Sequence, residues 1–278
     1  MSSKFGNKEI DAALDSIDKI NPFATYLSDS TLSRVGGWID TGSYVLNAIV
    51  SGSIHGGIPK GRVTMMGGES MTGKTLFVQK ILANAQKEGL IPVIFDTENA
   101  VDPEGSERMG LDVSKVKYVP CITIEQTRNA LFKFLTAVKE KGLEGKFIIA
   151  IDSLGNLQSE LEHSRMGKDS MSSDMGTKAR AMKSLMQTCT NLGATTQTTI
   201  LCTNHVYDDP TAMFPSIEKN MPGGKSIIYL PSVTIQLARK PMKSDGGKTM
   251  DAETAVGQKN YAGILIRALT RKNRFIKQ

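Results

Sequence analysis

The sequence predicts an α/β protein in which helices flank a mainly parallel central sheet. From Val63 onward, short apolar segments alternate with longer segments of helical periodicity, the pattern of strand–helix–strand units. Residues 147–151 (FIIAI) form a continuous apolar run, as expected for a strand that is buried on both faces of a parallel sheet. A Gly-rich phosphate-binding pattern at residues 68–75 lies between an apolar strand and a helix.

A segment with helical periodicity precedes this alternating region. Residues 8–20 place five apolar side chains on one face of a helix, which ends at Asn21-Pro22. A second, apolar helix over residues 44–50 follows an N-cap sequence at residues 41–43. Residues 51–61 then form a Gly-rich turn.

The elements of the alternating region are predicted in chain order. We predict strands over residues 63–66, 91–95, 116–120, 147–151, 198–204, about 232–238 and about 262–270, and helices over about 74–88, 124–142 and about 174–192. Two long polar stretches, over about 157–173 and 206–223, each follow a buried strand. They therefore emerge at the carboxyl edge of the sheet, where ligands bind in this class of protein.

The Gly-rich segment matches the P-loop pattern GxxxxGK[ST]. Its members are Gly68, Glu69, Ser70, Met71, Thr72, Gly73, Lys74 and Thr75. The glycines let backbone N–H groups surround phosphates, and the following helix directs its positive end at them. The pattern predicts that Lys74 reaches the β- and γ-phosphates and that Thr75 holds Mg²⁺. The alternative is an ordinary Gly-rich turn.

Three polar residues follow predicted strands and are candidates for chemistry. Asp152 ends a buried strand and is a candidate Mg²⁺ partner acting through water, although such an Asp often caps the next segment. Glu98 could deprotonate an attacking water if its strand neighbours the P-loop strand; otherwise it is a solvated loop residue. His205 opens the second polar stretch and suits a γ-phosphate sensor, or an ordinary hydrogen-bonded histidine.

The net charge of +6 is concentrated near the C-terminus. Residues 239–278 carry ten Lys and Arg residues and three acidic residues, which leaves residues 1–238 at −1. A basic segment favours a polyanion partner, although a solvated basic tail is the alternative. The three cysteines and three histidines show no metal-ligand spacing, and we expect free thiols in a reducing cytosol. We expect no signal peptide and no membrane span.

Several segments of the sequence resemble the RecA family of recombinases. They are TGSYVLNAIVSGSIHGGIPKGRVTMMGGESMTGKT, DTENAVDPEGSERMGLD, IDSLGNLQSE, SDMGTKARAMKSL, TNHVY and MPGGKSIIYLPSVTIQLARK. The last four look closest to the UvsX-type recombinases of tailed bacteriophages. The similarity covers about residues 40–275, and its motifs occur in the family's order.

The resemblance implies a role for each matching residue around the nucleotide. It assigns Lys74 and Thr75 to the P-loop, Glu98 to the catalytic base, Asp152 to the Mg²⁺-linked acid and His205 to the γ-phosphate sensor, which is Gln in bacterial members and His in phage members. It places Asp102 near the adenine. It also implies that Lys272 and Arg274 reach the ATP of the neighbouring subunit.

The resemblance further implies two DNA-binding loops, at about residues 157–174 and 206–223. The matching candidates are Arg165, Met166, Lys168, Arg180, Met213, Phe214, Ile217, Gly223, Gly224 and Lys225. Their cations neutralise the DNA backbone, and their apolar side chains can wedge between base steps. Few of these residues read base identity, so the expected binding is independent of sequence and sensitive to salt.

The family likeness implies an ATP-dependent recombinase with a RecA-like P-loop NTPase core. The expected activity is DNA-dependent ATP hydrolysis with ATP and Mg²⁺ as cofactors. The expected partners are single-stranded DNA, homologous duplex DNA, further copies in a helical filament, and phage single-strand-binding and mediator proteins, all in the cytoplasm of an infected bacterium. The alternatives are a hexameric helicase of the same fold and a mediator that binds ATP and DNA without hydrolysis.

The likeness also divides the chain into two parts. We expect an N-terminal helix and oligomerisation connector in residues 1–40, and the ATPase core in residues 41–278. In the family the connector docks on the next subunit, and the candidate contacts are Phe23, Ala24, Tyr26 and Leu27. Family members usually continue with a further core strand, so we expect the core to be truncated at Gln278.

Overall fold

The computed structural model describes residues 6–21, 23–30, 32–165, 175–208, 216–240 and 265–276. The chain divides into two compact units, Met1–Gly36 and Gly37–Gln278. Four of the candidate DNA-binding residues, Met166, Lys168, Met213 and Phe214, lie outside the described residues. Within the described part, no helix is long and apolar enough to cross a membrane.

The first unit contains helix α1 (Lys8–Asp18). The Asn7 side chain accepts a hydrogen bond from the backbone N–H of Glu9 and caps the helix, as a short polar residue does at this position. The predicted helix is confirmed, with an end two residues earlier than expected. Its apolar face is exposed, with Ile10 at 47% and Ile17 at 52% exposure.

The second unit is built on a seven-stranded sheet. Its strands are β3 (Val63–Gly68), β4 (Ile91–Asp96), β5 (Lys117–Pro120), β6 (Phe147–Asp152), β7 (Thr199–Asn204), β8 (Val233–Lys240) and β9 (Leu265–Asn273). The lateral order is β5-β4-β6-β7-β3-β8-β9. All neighbouring strands are parallel except β8 and β9. The predicted α/β class with a mainly parallel sheet is confirmed.

Helices and a small ribbon surround this sheet. The helices are α2 (Tyr44–Ser51), α3 (Lys74–Lys87), α4 (Pro103–Arg108), α5 (Ile124–Glu140), α6 (Glu160–Ser164), α7 (Met175–Thr195) and α8 (Ser226–Tyr229). Strands β1 (Trp38–Ile39) and β2 (Ile58–Pro59) pair antiparallel. Strand β2 lies inside the segment predicted as a turn, since two-residue strands carry no periodic signal. Helices α4, α6 and α8 were also not predicted, because four to six residues complete too few turns to show a face.

The apolar core lies on both faces of the sheet. Side chains of one strand alternate between faces, so neighbouring residues of β6 enter different layers. Ile149 packs in one layer with Leu131 of α5 and Leu185 of α7. Ile148 packs in the other layer with Ile81 of α3. All five side chains are fully buried, which explains why β6 reads as an uninterrupted apolar run.

Candidate functional site

The P-loop joins β3 to α3 at the carboxyl edge of the sheet. Gly73 immediately precedes α3 with φ of +81°, and Met71 also has positive φ, at 61°. The loop approaches its neighbours closely at Gly68, where an added Cβ would lie 2.5 Å from Thr72 Oγ1. A side chain at Gly68 would therefore displace the loop, so steric crowding explains why this position is glycine.

Lys74 points back into the P-loop. Its Nζ donates hydrogen bonds to the backbone oxygens of Gly68 and Glu69, both at 2.8 Å. Burial lowers the pKa of Lys74, and the charges of Asp152, Glu98 and Glu69 partly offset this effect. Phosphate oxygens carry negative charge and are stronger acceptors than these carbonyls, so the ammonium is placed to transfer to a bound phosphate.

Thr75 and Asp152 form the second part of the site. Thr75 Oγ1 donates to Asp152 Oδ2 at 2.8 Å, and Thr203 Oγ1 donates to Asp152 Oδ1 at 2.5 Å. Burial raises the pKa of Asp152, while the two hydroxyl donors lower it. The Thr75 hydroxyl, at the first turn of α3, and the adjacent Asp152 carboxylate, at the end of β6, are suitable oxygen ligands for Mg²⁺.

The protein ligands for such a cation are few. Across the described residues, no group of three or more His, Cys, Asp or Glu side chains is placed to hold a metal. Mg²⁺ commonly takes one or two protein oxygens and completes its octahedron with water and phosphate oxygens. The Thr75–Asp152 pair therefore fits a nucleotide-bound Mg²⁺ better than a metal held by protein alone.

Glu98 and His205 meet at the same edge of the sheet. His205 Nε2 lies 3.3 Å from Glu98 Oε1. In the prediction from the sequence, the role of Glu98 depends on its strand being a neighbour of the P-loop strand. That condition is not met, because β6 and β7 separate β4 from the P-loop strand β3. Glu98 nevertheless faces the site, since the residues that follow β4, β6 and β7 emerge side by side.

Two residues that the sequence did not single out support Glu98. Asp96 is buried and accepts hydrogen bonds from the backbone N–H of Glu98 at 2.9 Å and from that of Val101 at 3.2 Å. Ser153 is fully buried and donates from Oγ to Glu98 Oε1 at 2.6 Å. A strand-terminal Asp followed by a turn was a visible signal for Asp96. The contact between Ser153 and Glu98 had no such signal, because it depends on β4 and β6 being neighbours in the sheet.

Comparison with known protein families identifies the relatives of this arrangement. The family described as the RecA N-terminal domain matches residues 8–264. The chain belongs to the RecA family. It is 32% identical over 254 residues to Protein RecA of Frankia alni, covering 90% of this chain and 69% of that protein. It is 29% identical over 258 residues to Protein RecA of Chlorobium chlorochromatii, covering 90% of this chain and 67% of that protein.

Two of the residues assigned by the RecA resemblance bind to their own chain in the structure. Asp102 caps α4 by accepting hydrogen bonds from the backbone N–H groups of Glu104 at 3.2 Å and Gly105 at 2.8 Å. Lys272 donates to the backbone oxygens of Tyr229 and Pro231. Burial, followed by repulsion from Arg274, lowers the pKa of Lys272 to about 8.

The described RecA-type DNA-binding candidates other than Ile217 lie around α6, α7 and α8. Arg165 follows α6, Arg180 is exposed on α7, and Lys225 is exposed before α8. Gly223 has φ of +99°, and an added Cβ there would lie 2.8 Å from Met182 Cγ and Ile227 Cγ1. That position requires glycine for both backbone conformation and space.

We call residues 217–220, which lie within the second polar stretch, the loop stem. Lys219 forms ion pairs with Glu69 of the P-loop and, at 3.1 Å, with Asp208. Arg271 of β9 pairs with Glu218 at 2.9 Å. The hydrogen bond with Glu69 is the main reason that the pKa of Lys219 is raised. The stem therefore connects the P-loop directly to the second polar stretch, a contact that sequence analysis did not predict.

Proposed function

We propose that the chain is an ATP-dependent DNA recombinase that forms filaments on single-stranded DNA and catalyses homologous pairing and strand exchange. The observation that carries the proposal is the convergence of Lys74, the Thr75–Asp152 pair and the Glu98–His205 pair at one sheet edge. Membership of the RecA family supports the assignment to DNA recombination and repair.

ATP hydrolysis is the reaction that these side chains suit. Lys74 would bind the phosphates, and Thr75 with Asp152 would hold Mg²⁺, which when bound neutralises the phosphate charge. Glu98 would accept a proton from the attacking water. His205 would sense the γ-phosphate and transmit its presence to the second polar stretch, which begins at the next residue.

DNA would bind at the two polar stretches that leave the same edge of the sheet. Exposed Arg180 and Lys225 supply charge for the backbone, and Ile217, 60% exposed, supplies an apolar wedge. Base pairing between the bound strand and a homologous duplex would test sequence, since these groups do not read base edges. Hydrolysis would then weaken the hold on DNA.

We further propose that the chain is of the phage UvsX type and acts in the cytoplasm of an infected bacterium. The histidine at position 205 is the sequence feature that favours this type over the bacterial one. Phage single-strand-binding and mediator proteins would be its accessory partners. Subunits would assemble head to tail, with Lys272 and Arg274 reaching the ATP of the neighbour.

A phosphate-release assay tests this proposal. We expect the wild-type chain to hydrolyse ATP in the presence of Mg²⁺, and single-stranded DNA to accelerate the reaction. Glu98→Gln should retain ATP and DNA binding but lower kcat by about 100-fold or more, because a general base contributes on that order. Absence of phosphate release with DNA present would favour a binding mediator, and wild-type turnover in the variant would remove Glu98 from the base role.

A further inference from the structure

Ser153 is a fully buried hydroxyl that directly follows the strand-end carboxylate Asp152. Its Oγ donates to Glu98 Oε1 at 2.6 Å and lies 3.5 Å from His205 Nε2. We propose that Ser153 is a positioning residue for ATP hydrolysis, whose hydroxyl holds the Glu98 carboxylate in its reactive orientation. The inference rests on the proposed function, in which Glu98 is the base.

The backbone around Ser153 is fixed to the segment that carries Glu98. Thr97 Oγ1 donates to the backbone oxygen of Ser153 at 2.8 Å and accepts from its N–H at 2.9 Å. The Thr97 N–H also donates to the backbone oxygen of Asp152 at 2.9 Å. These three hydrogen bonds hold the Ser153 hydroxyl at a constant place relative to Glu98, which is what positioning requires.

The proton count of the hydroxyl separates the roles of its two neighbours. A serine hydroxyl has one proton to donate, and here that proton goes to Glu98. His205 Nε2 can therefore only donate to the Ser153 oxygen, and it lies at a longer distance from it. When His205 moves towards a phosphate it gives up its own 3.3 Å contact with Glu98 Oε1, while the Ser153 hydroxyl still donates to that oxygen. The shorter contact then persists through the step in which Glu98 takes its proton.

His205 is also tied to the far end of the second polar stretch. Asn204 Oδ1 accepts from the His205 N–H at 2.9 Å, and Asn204 Nδ2 donates to the backbone oxygen of Pro222 at 3.0 Å. Asn204 thus connects the second polar stretch to His205. Ser153 keeps the base in place while its neighbour responds to DNA.

A double-mutant cycle of phosphate release with single-stranded DNA tests the proposal. Ser153→Ala should lower kcat by about 10- to 100-fold, as expected when a reacting group is misplaced by about an ångström. The KM for ATP and the binding of a fluorescent ATP analogue should not change. In the Glu98→Gln background, followed over hours, the same change should slow release by less than about twofold, because positioning acts only through Glu98.

Matched variants distinguish positioning from stability. Thr196→Val removes another fully buried hydroxyl, at the opposite edge of the sheet, and should leave kcat unchanged. Ser153→Thr, which keeps the hydroxyl, should recover most of the activity, and Ser153→Cys replaces Ser153→Ala in the cycle if the latter does not fold. An unchanged kcat, or an equal loss in the Glu98→Gln background, would overturn the proposal. A wild-type chain without DNA-stimulated hydrolysis would instead contradict the proposed function, and the role of Ser153 with it.

Discussion

At the scale of single residues, the site is governed by which charges are buried and what compensates them. Lys74 is 8% exposed and Asp152 is 6% exposed, and burial opposes the charged form of each group. Each is supported by near neighbours, namely carbonyl oxygens for Lys74 and the two threonine hydroxyls for Asp152. A phosphate would compensate the charge of Lys74 more strongly than carbonyl oxygens do, and Mg²⁺ would compensate that of Asp152 more strongly than hydroxyls do.

Lys272 gives a prediction of how stability depends on pH. Its pKa in the folded chain is about 8, below the ordinary value of 10.5, so the unfolded chain binds more protons between these two values. Stability should therefore rise as pH increases from 8 towards 10.5. We expect the wild type to gain stability over this range relative to Lys272→Met, as measured by the midpoints of chemical denaturation at each pH.

Other titrating groups contribute equally to the two proteins in that comparison, so only the difference between their curves is diagnostic. Parallel curves for the wild type and Lys272→Met would show that Lys272 does not lose its proton in this range. That result would contradict the burial of its ammonium beside Arg274.

At the scale of elements, local signals predicted the site only where its parts are contiguous in sequence. The P-loop could be predicted because the strand, the glycines, Lys74 and the following helix lie together. The meeting of Glu98, Ser153 and His205 could not, because it depends on β4, β6 and β7 lying side by side. The resemblance to RecA proteins, rather than periodicity, brought Glu98 and His205 to one site.

The ends of strands were likewise predicted well only where the local apolar pattern determines them. Strands with continuous apolar runs, such as β6 and β7, were predicted to within one residue. Strand β9 was expected over about 262–270 but spans Leu265–Asn273. Its second half contains Arg271, which forms an ion pair with Glu218, and Lys272, which donates to a backbone carbonyl. An apolar sequence pattern cannot predict such contacts.

The loop stem gives a prediction at this scale. Lys219→Met removes the ion pairs with Glu69 and Asp208 but leaves the backbone hydrogen bonds between Tyr207 and Asn220, which are 2.9 Å in both directions. Partly exposed ion pairs contribute roughly 0.2–1 kcal/mol. We expect hydrogen exchange of these two amides to become about two- to fivefold faster, while global stability changes little.

Lys115→Met is the matched control, since Lys115 forms an exposed ion pair with Asp112 at 2.7 Å away from the stem. It should leave the exchange of the Tyr207 and Asn220 amides unchanged. Unaltered exchange in Lys219→Met would contradict the view that the P-loop contact holds the stem.

At the scale of the whole molecule, the region richest in basic residues differs from the region proposed to bind DNA. The sequence has a net charge of +6 that is concentrated in residues 239–278. Two of the cations in that region bind within their own chain: the Arg271 side chain is 10% exposed against Glu218, and Lys272 donates to backbone carbonyls. The exposed cations proposed to bind DNA, Arg180 and Lys225, belong to the part of the sequence without net positive charge.

The arrangement of subunits separates a recombinase from a hexameric helicase, because closed rings and open filaments can be built from the same fold. A head-to-tail contact that does not close generates a helix, whereas one that closes generates a ring. Electron microscopy of the chain with Mg²⁺, a non-hydrolysable ATP analogue and single-stranded DNA distinguishes the two arrangements. We predict open helical filaments along the DNA; closed rings would contradict the recombinase assignment and favour a hexameric helicase.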